Sequence, residues 1–109
     1  MKPNKVNILG VDYSVTYCDN PSEVDMNKRK SLWGQIDYWE RKIRIYENGR
    51  TPEDILQTLL HEVIHGIDTA LHMNLEEKAD LEERVDLLAL ALADVLTRNK
   101  WIDLEGNPE

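Results

Sequence analysis

Leu59-Leu60-His61-Glu62-Val63-Ile64-His65-Gly66-Ile67-Asp68 is the stretch from which this 109-residue chain is best read. Its centre, His61-Glu62-x-x-His65, sets two imidazoles four residues apart with a carboxylate directly after the first. On an α-helix, residues four apart share one face at about 5–6 Å, so both imidazole nitrogens can reach one metal ion. Zinc takes nitrogen ligands at about 2.0–2.1 Å, and a catalytic zinc keeps one coordination position for water. Glu62 lies to one side of the pair, where it serves as general base towards that water instead of taking a coordination position. A chain of this size would produce the pattern by accident roughly a few times in a thousand at average residue usage. The surroundings must therefore carry their share of the argument.

They do. Thr51-Pro52-Glu53-Asp54 reads as a helix start, with Thr51 as N-cap, Pro52 at the first helical position and Asp54 three after the cap. From there Ile55, Leu56, Leu59, Leu60, Val63, Ile64, Ile67, Ala70 and Leu71 recur at helical spacing. This apolar arc is centred nearly opposite a stripe made of Thr58, His61, His65, Asp68 and His72, so the histidines stand off the face expected to pack on the core.

A third ligand is required. A third histidine in the extended His-Glu-x-x-His-x-x-Gly-x-x-His form is excluded, because Asp68 and Leu71 occupy the positions that would need Gly and His. Asp68 sits a turn beyond His65 and suits a partner for an imidazole N–H better than a ligand. His72, seven residues past His65, is about 10 Å further along the axis if the helix persists, too far for the same ion. If the helix ends near Leu71, His72 is free to reach substrate. A second helix follows, capped by Asn74 with Glu77 at the reciprocal position and running to about Asn99. Its expected apolar stripe is Leu81, Val85, Leu88, Leu92 and Val95, broadened by Ala89 and Leu96. Glu82 lies at the edge of that stripe, in line with Ala89 and Ala93, whose small side chains admit a neighbouring helix. Glu82 is the preferred third ligand and Glu83 the reserve.

Upstream, the pattern changes from helical to alternating. Val6 and Ile8, a turn at Leu9-Gly10, and Val11, Tyr13, Val15 and Tyr17 alternating with Asp12, Ser14 and Thr16 predict a hairpin. Asp19 to Lys30 reads as a loop with one helical turn from Ser22. Leu32 to Tyr38 is expected to pair with Lys42 to Tyr46 through a turn at Trp39 to Arg41. Trp33, Tyr38 and Trp39 each read first as ordinary strand aromatics. Together these elements predict an α+β fold: a small antiparallel or mixed sheet packed on the histidine helix, with the second long helix beside it.

Composition narrows the function classes. The chain carries 21 acidic against 13 basic side chains, a formal charge of −8, which argues against a nucleic-acid partner; Lys28-Arg29-Lys30 reads as a solvated loop. No segment has the length of a signal or a membrane span, so no membrane partner is expected. Cys18 is the only cysteine, which rules out an intramolecular disulfide and a cysteine zinc cluster, and it reads as a buried or half-buried strand thiol. One domain over residues 1–109 is expected, with residues 1–4 and 103–109 frayed, and the compartment inferred is cytoplasmic.

The segment Thr58-Leu-Leu-His61-Glu62-Val-Ile-His65-Gly-Ile-Asp68, followed by Glu82-x-x-Val85-Asp86-x-Leu88-Ala89, resembles the small gluzincin-type zinc metallopeptidases. The likeness is to the ImmA/IrrE-like and minigluzincin proteins and their short phage-encoded relatives, and it spans roughly Val6 to Asn99. It implies a zincin-like domain, zinc held by His61, His65 and Glu82, Glu62 as base, and a peptide or protein substrate, in a bacterium or a phage-infected cell. Two departures stand out: Val85 replaces the alanine of many members, and the helix-turn-helix of some relatives is absent. Metal-assisted amide hydrolysis is the expected chemistry, with His72, Tyr38 and Tyr46 as candidate oxyanion donors. The alternative is a catalytically weak zinc-binding accessory domain that acts by binding a partner.

Overall fold

The computed structural model describes residues 3–25, 33–73 and 81–99, with Leu81 described by its backbone alone. Strands β1 (Lys5–Ile8) and β2 (Val11–Cys18) form the expected hairpin, closed by Leu9 and Gly10, both at positive φ (49° and 92°). This is the backbone twist that a two-residue hairpin turn requires. Val15 N–H donates to the Asn4 carbonyl and the Tyr17 hydroxyl to the Pro3 carbonyl, so the chain is tied to β2 from Pro3 onward. The expectation of frayed ends otherwise falls on residues 1–2 and 103–109, outside the described residues.

The expected helical turn in the following loop is a single 3-10 turn, Pro21–Glu23, after which Val24 and Asp25 are buried. The basic run at 28–30 lies outside the described residues. Strand β3 (Gly34–Asp37) is shorter than the predicted Leu32–Tyr38. It ends because the Asp37 carboxylate accepts from the backbone N–H of Trp39 and Glu40, turning the chain into β4 (Lys42–Tyr46). The sheet order is β1-β2-β4-β3, with β2 and β4 parallel and the other two pairs antiparallel. A mixed sheet results, and β3 is one of its edges.

Helix α1 (Pro52–Leu71) starts as its sequence indicates: Thr51 Oγ1 accepts from Asp54 N–H at 3.1 Å, with Pro52 at the first position. It ends at His72, which adopts the left-handed conformation and donates its N–H to the Asp68 and Thr69 carbonyls. Ile55, Leu59, Val63 and Ile67, one turn apart, pack on Ile8, Tyr13, Val15, Ile43 and Ile45 of the sheet. Helix and sheet approach closely at two glycines. A Cβ on Gly66 would lie 2.7 Å from Ile8 Cδ1, and one on Gly34 would lie 2.6 Å from Thr58 Cγ2.

The face of α1 that carries the histidines is not a solvent face. Thr58, Glu62, His65 and Asp68 are buried, Thr58 and Glu62 against Gly34 of β3, and α2 (Leu81–Arg98) packs along α1. On α2 itself the expected stripe is corrected. Val85, Ala89 and Ala93, one turn apart, are the buried residues, whereas Leu88, Leu92 and Val95 are exposed. Helix-to-helix approach selects the row with the small side chains, and the larger residues are turned away by about 100° per position. The Asn74 and Glu77 cap falls outside the described residues.

Candidate metal centre

The α1–α2 contact brings His61, His65 and Glu82 to one point. His61 Nε2 lies 3.1 Å from Glu82 Oε2, His65 Nε2 lies 2.8 Å from Glu82 Oε1, and the two Nε2 atoms are 3.2 Å apart. Ligands placed tetrahedrally at about 2.0–2.1 Å from an ion stand about 3.3 Å from one another, so the triangle has nearly the size that one zinc imposes. Two facing imidazole nitrogens and a carboxylate at these separations need a shared proton or a cation between them, and the donor set of two nitrogens and one oxygen suits zinc. These three are the group capable of holding a metal among the described residues. Glu83, the reserve ligand, lines the neighbouring cleft without joining the group, and neither does Asp68.

Each member of the triangle is positioned by its element. His65 and His61 are spaced by one turn of a helix anchored on the sheet, and their rings sit 4.9 Å apart between centroids. Glu82 is in the first turn of α2, one turn before Asp86. Asp86 Oδ1 approaches His61 Nδ1 at 3.5 Å and accepts from Gln57 Nε2 at 3.3 Å. A carboxylate behind the imidazole fixes the ring and leaves Nε2 for a metal. Asp86 was legible in the sequence as the residue four after Glu82, on the same helical face.

Glu62 is buried beside this triangle, and its Oε2 would be 3.1 Å from a Cβ on Gly34. The bare backbone of Gly34 is thus what admits the Glu62 carboxylate and Thr58 against the edge strand. His61, Glu62 and Glu82 open into a cleft of about 650 Å³ lined also by Trp33, Gly34, Arg50, Asp54, Gln57, Thr58, Glu83 and Asp86.

The candidate oxyanion donors are placed elsewhere. The Tyr38 hydroxyl donates to the His65 carbonyl at 3.2 Å, the Tyr46 ring meets the edge of Trp33, and His72 is the exposed C-cap of α1. None of the three lines the cleft. Trp33, read first as a strand aromatic, does line it, and so does Arg50, which the sequence reading passed over. Arg50 donates from Nη1 to the Tyr46 carbonyl and from Nη2 to the Asp54 carbonyl and Thr58 Oγ1. Its guanidinium lies 4.2 Å from the Trp33 ring centroid, and burial lowers its pKa, opposed by the charge of Asp54. The available signal was position: Arg50 directly precedes the N-cap and Trp33 directly precedes Gly34. Cys18 is a buried, free thiol, as expected, and burial raises its pKa.

No protein family, curated protein or solved structure matches the chain. No described helix is long and apolar enough to cross a membrane.

Proposed function

We propose that this chain is a zinc-dependent metallopeptidase with a zincin-like fold. The observation that carries the reading is the convergence of His61 Nε2, His65 Nε2 and the Glu82 carboxylate within 3.2 Å of one another, beside the buried carboxylate of Glu62. Three protein ligands suit a catalytic zinc, whereas a structural zinc takes four. When bound, zinc would supply Lewis-acid polarisation of a carbonyl and acidification of a water.

The chain's own residues would do the rest. Glu62 takes a proton from the attacking water and delivers it to the leaving amine nitrogen as the amide C–N bond breaks. Asp86, steadied by Gln57, holds the His61 ring in place. Strand β3 is at the end of the sheet order, and an extended peptide adding to that edge would pass over the cleft beside Gly34. Extended peptide is therefore the substrate class we assign. The lone buried cysteine suits a reducing compartment, and we place the protein in the cytoplasm of a bacterium or a phage-infected cell.

One observation favours the second reading, a zinc-binding accessory domain of weak activity: Tyr38, Tyr46 and His72 all lie outside the cleft. Cleavage of a mixed peptide library by zinc-loaded protein, abolished by Glu62→Gln with metal retained, is the outcome the peptidase reading requires. Zinc binding without cleavage by either protein would favour the accessory domain, and failure to take up metal would overturn both.

A further inference from the structure

Resting on the peptidase reading, we infer that Trp33 forms the floor of a substrate subsite that selects a large apolar or aromatic side chain near the scissile bond and rejects an acidic one. Once the residues with assigned roles are set aside, the cleft wall sorts itself. His61 and Glu82 belong to the metal triangle, Glu62 to proton transfer, and Asp86 to His61 and Gln57. Among the described residues, Trp33 remains as the one aromatic side chain lining the cleft besides the His61 imidazole.

Its setting is unusual for an aromatic that is 62% exposed. An exposed indole ordinarily samples several rotamers, yet this one is braced on two sides. The Arg50 guanidinium lies against its ring at 4.2 Å, and the Tyr46 ring meets it at 6.3 Å with an interplanar angle of 87°. Its carbonyl also accepts from Tyr46 N–H at 2.9 Å, which locks the main chain into the sheet. Arg50 in turn is held by the Tyr46 and Asp54 carbonyls and Thr58 Oγ1. An aromatic ring braced in this way immediately before edge strand β3 would lose little entropy on binding, which is the property of an aromatic anchor.

The polarity of the wall decides which side chain it takes. Arg50 already donates once from Nη1 and twice from Nη2 within the protein, and its Nε, which has no hydrogen-bond partner among the described residues, is buried away from a substrate carboxylate. Asp54, Glu82, Glu83 and Asp86 line the same cleft and make the approach of a carboxylate unfavourable. A lysine or arginine would have to sit on the ring already backed by the Arg50 cation. Apolar surface on the plate, with the acidic rim as filter, is the arrangement left.

The test uses zinc-loaded full-length protein and a set of peptides differing at one position only: Phe, Leu, Lys or Asp, scanned along the chain. Wild-type cleavage and binding to the uncut Glu62→Gln form are both measured. At one position Phe and Leu are expected to exceed Asp by at least about tenfold. Trp33→Ala should shrink that ratio by about five- to tenfold, and Trp33→Phe should retain most of it. A ratio that Trp33→Ala leaves unchanged while the protein stays folded and zinc-loaded, or a preference for Lys or Asp, would overturn the subsite alone. If nothing is cut, a Phe preference in binding that depends on Trp33 still supports the subsite while the peptidase reading fails. Absence of binding to every peptide overturns both.

Discussion

Helix α1 and helix α2 contribute to the same triangle from different mechanical footings. The two histidines of α1 are 9% and 15% exposed and ride on a helix whose opposite face is packed into the sheet, while the Glu82 side chain on α2 is 73% exposed. Helix α2 is buried along one narrow row, Val85, Ala89 and Ala93, and leaves Leu87, Leu88, Leu90, Leu92 and Val95 exposed. Two members of the triangle are therefore pre-set by the core, and the third is delivered by a helix that depends on its contact with α1. The difference teaches that a metal bound here would join two parts of unequal stability, as coordination across elements generally does.

The largest expected effect breaks the footing of α1. Ile43 is fully buried at the centre of the sheet core, so Ile43→Ala should cost about 2–5 kcal/mol in denaturant unfolding. Leu88→Ala on the exposed side of α2 should stay within about 0.5 kcal/mol. Equal losses at the two positions would show that Leu88 is covered and that the two helices are alike after all.

Zinc itself should narrow the gap. At a free zinc concentration a hundred times the dissociation constant, stability should rise by about 2.7 kcal/mol, read as the difference between zinc-loaded and chelated protein in urea melts. Amide protection in α2 should increase more than in β2 or β4, because only α2 gains a new attachment. Glu82→Gln should remove the extra protection of α2 while leaving the sheet as it was. A variant that keeps zinc affinity and α2 protection would rule out Glu82 as the third ligand.

A smaller effect separates the ligands from their support. Asp86→Asn keeps the shape of the group 3.5 Å from His61 Nδ1 but removes its charge, and zinc affinity should fall by about 10- to 100-fold. Gln57→Ala, which loosens Asp86 without touching His61, should fall short of that in competition with a fluorescent chelator. A larger loss from Gln57 than from Asp86 would mean that Gln57 does not act on His61 through Asp86.

The sequence made some of these features legible and hid others for physical reasons. Local signals translated directly: the Thr51 cap, the Leu9-Gly10 hairpin and the Ile55-Leu59-Val63-Ile67 face each depend on neighbours within a turn or two. That Glu82 falls beside His61 and His65 was legible from its place at the edge of the apolar stripe of α2, in line with Ala89 and Ala93. The buried row of α2 was not reachable from hydrophobicity, since Leu88 and Leu92 are more apolar than Ala89 and Ala93; close helix approach outweighed it. Arg50 and Trp33 met through the tertiary fold, from segments 17 residues apart in number, and no local pattern announces such a stack.

The smallest effect sharpens the comparison from the sheet side. Tyr17 is half-buried on β2 with its hydroxyl donating to the Pro3 carbonyl at 2.6 Å, and burial, aided by the charge of Glu47, pushes its pKa from 10.0 to about 12. The phenol therefore contributes stability below about pH 10, because the unfolded chain would ionise first, and that contribution is lost as pH rises through about 12. A fully shielded group with this displacement would contribute about 2.7 kcal/mol, and partial exposure of Tyr17 reduces the expected loss to about 1 kcal/mol. Tyr17→Phe should flatten this part of the alkaline stability profile while costing the Pro3 hydrogen bond at every pH. Because Tyr17 is on β2 and not on α2, protection in α2 should change less than protection in the β1–β2 hairpin as pH rises from about 10 towards 12. The reverse order would mean that the alkaline loss does not originate at Tyr17 on β2.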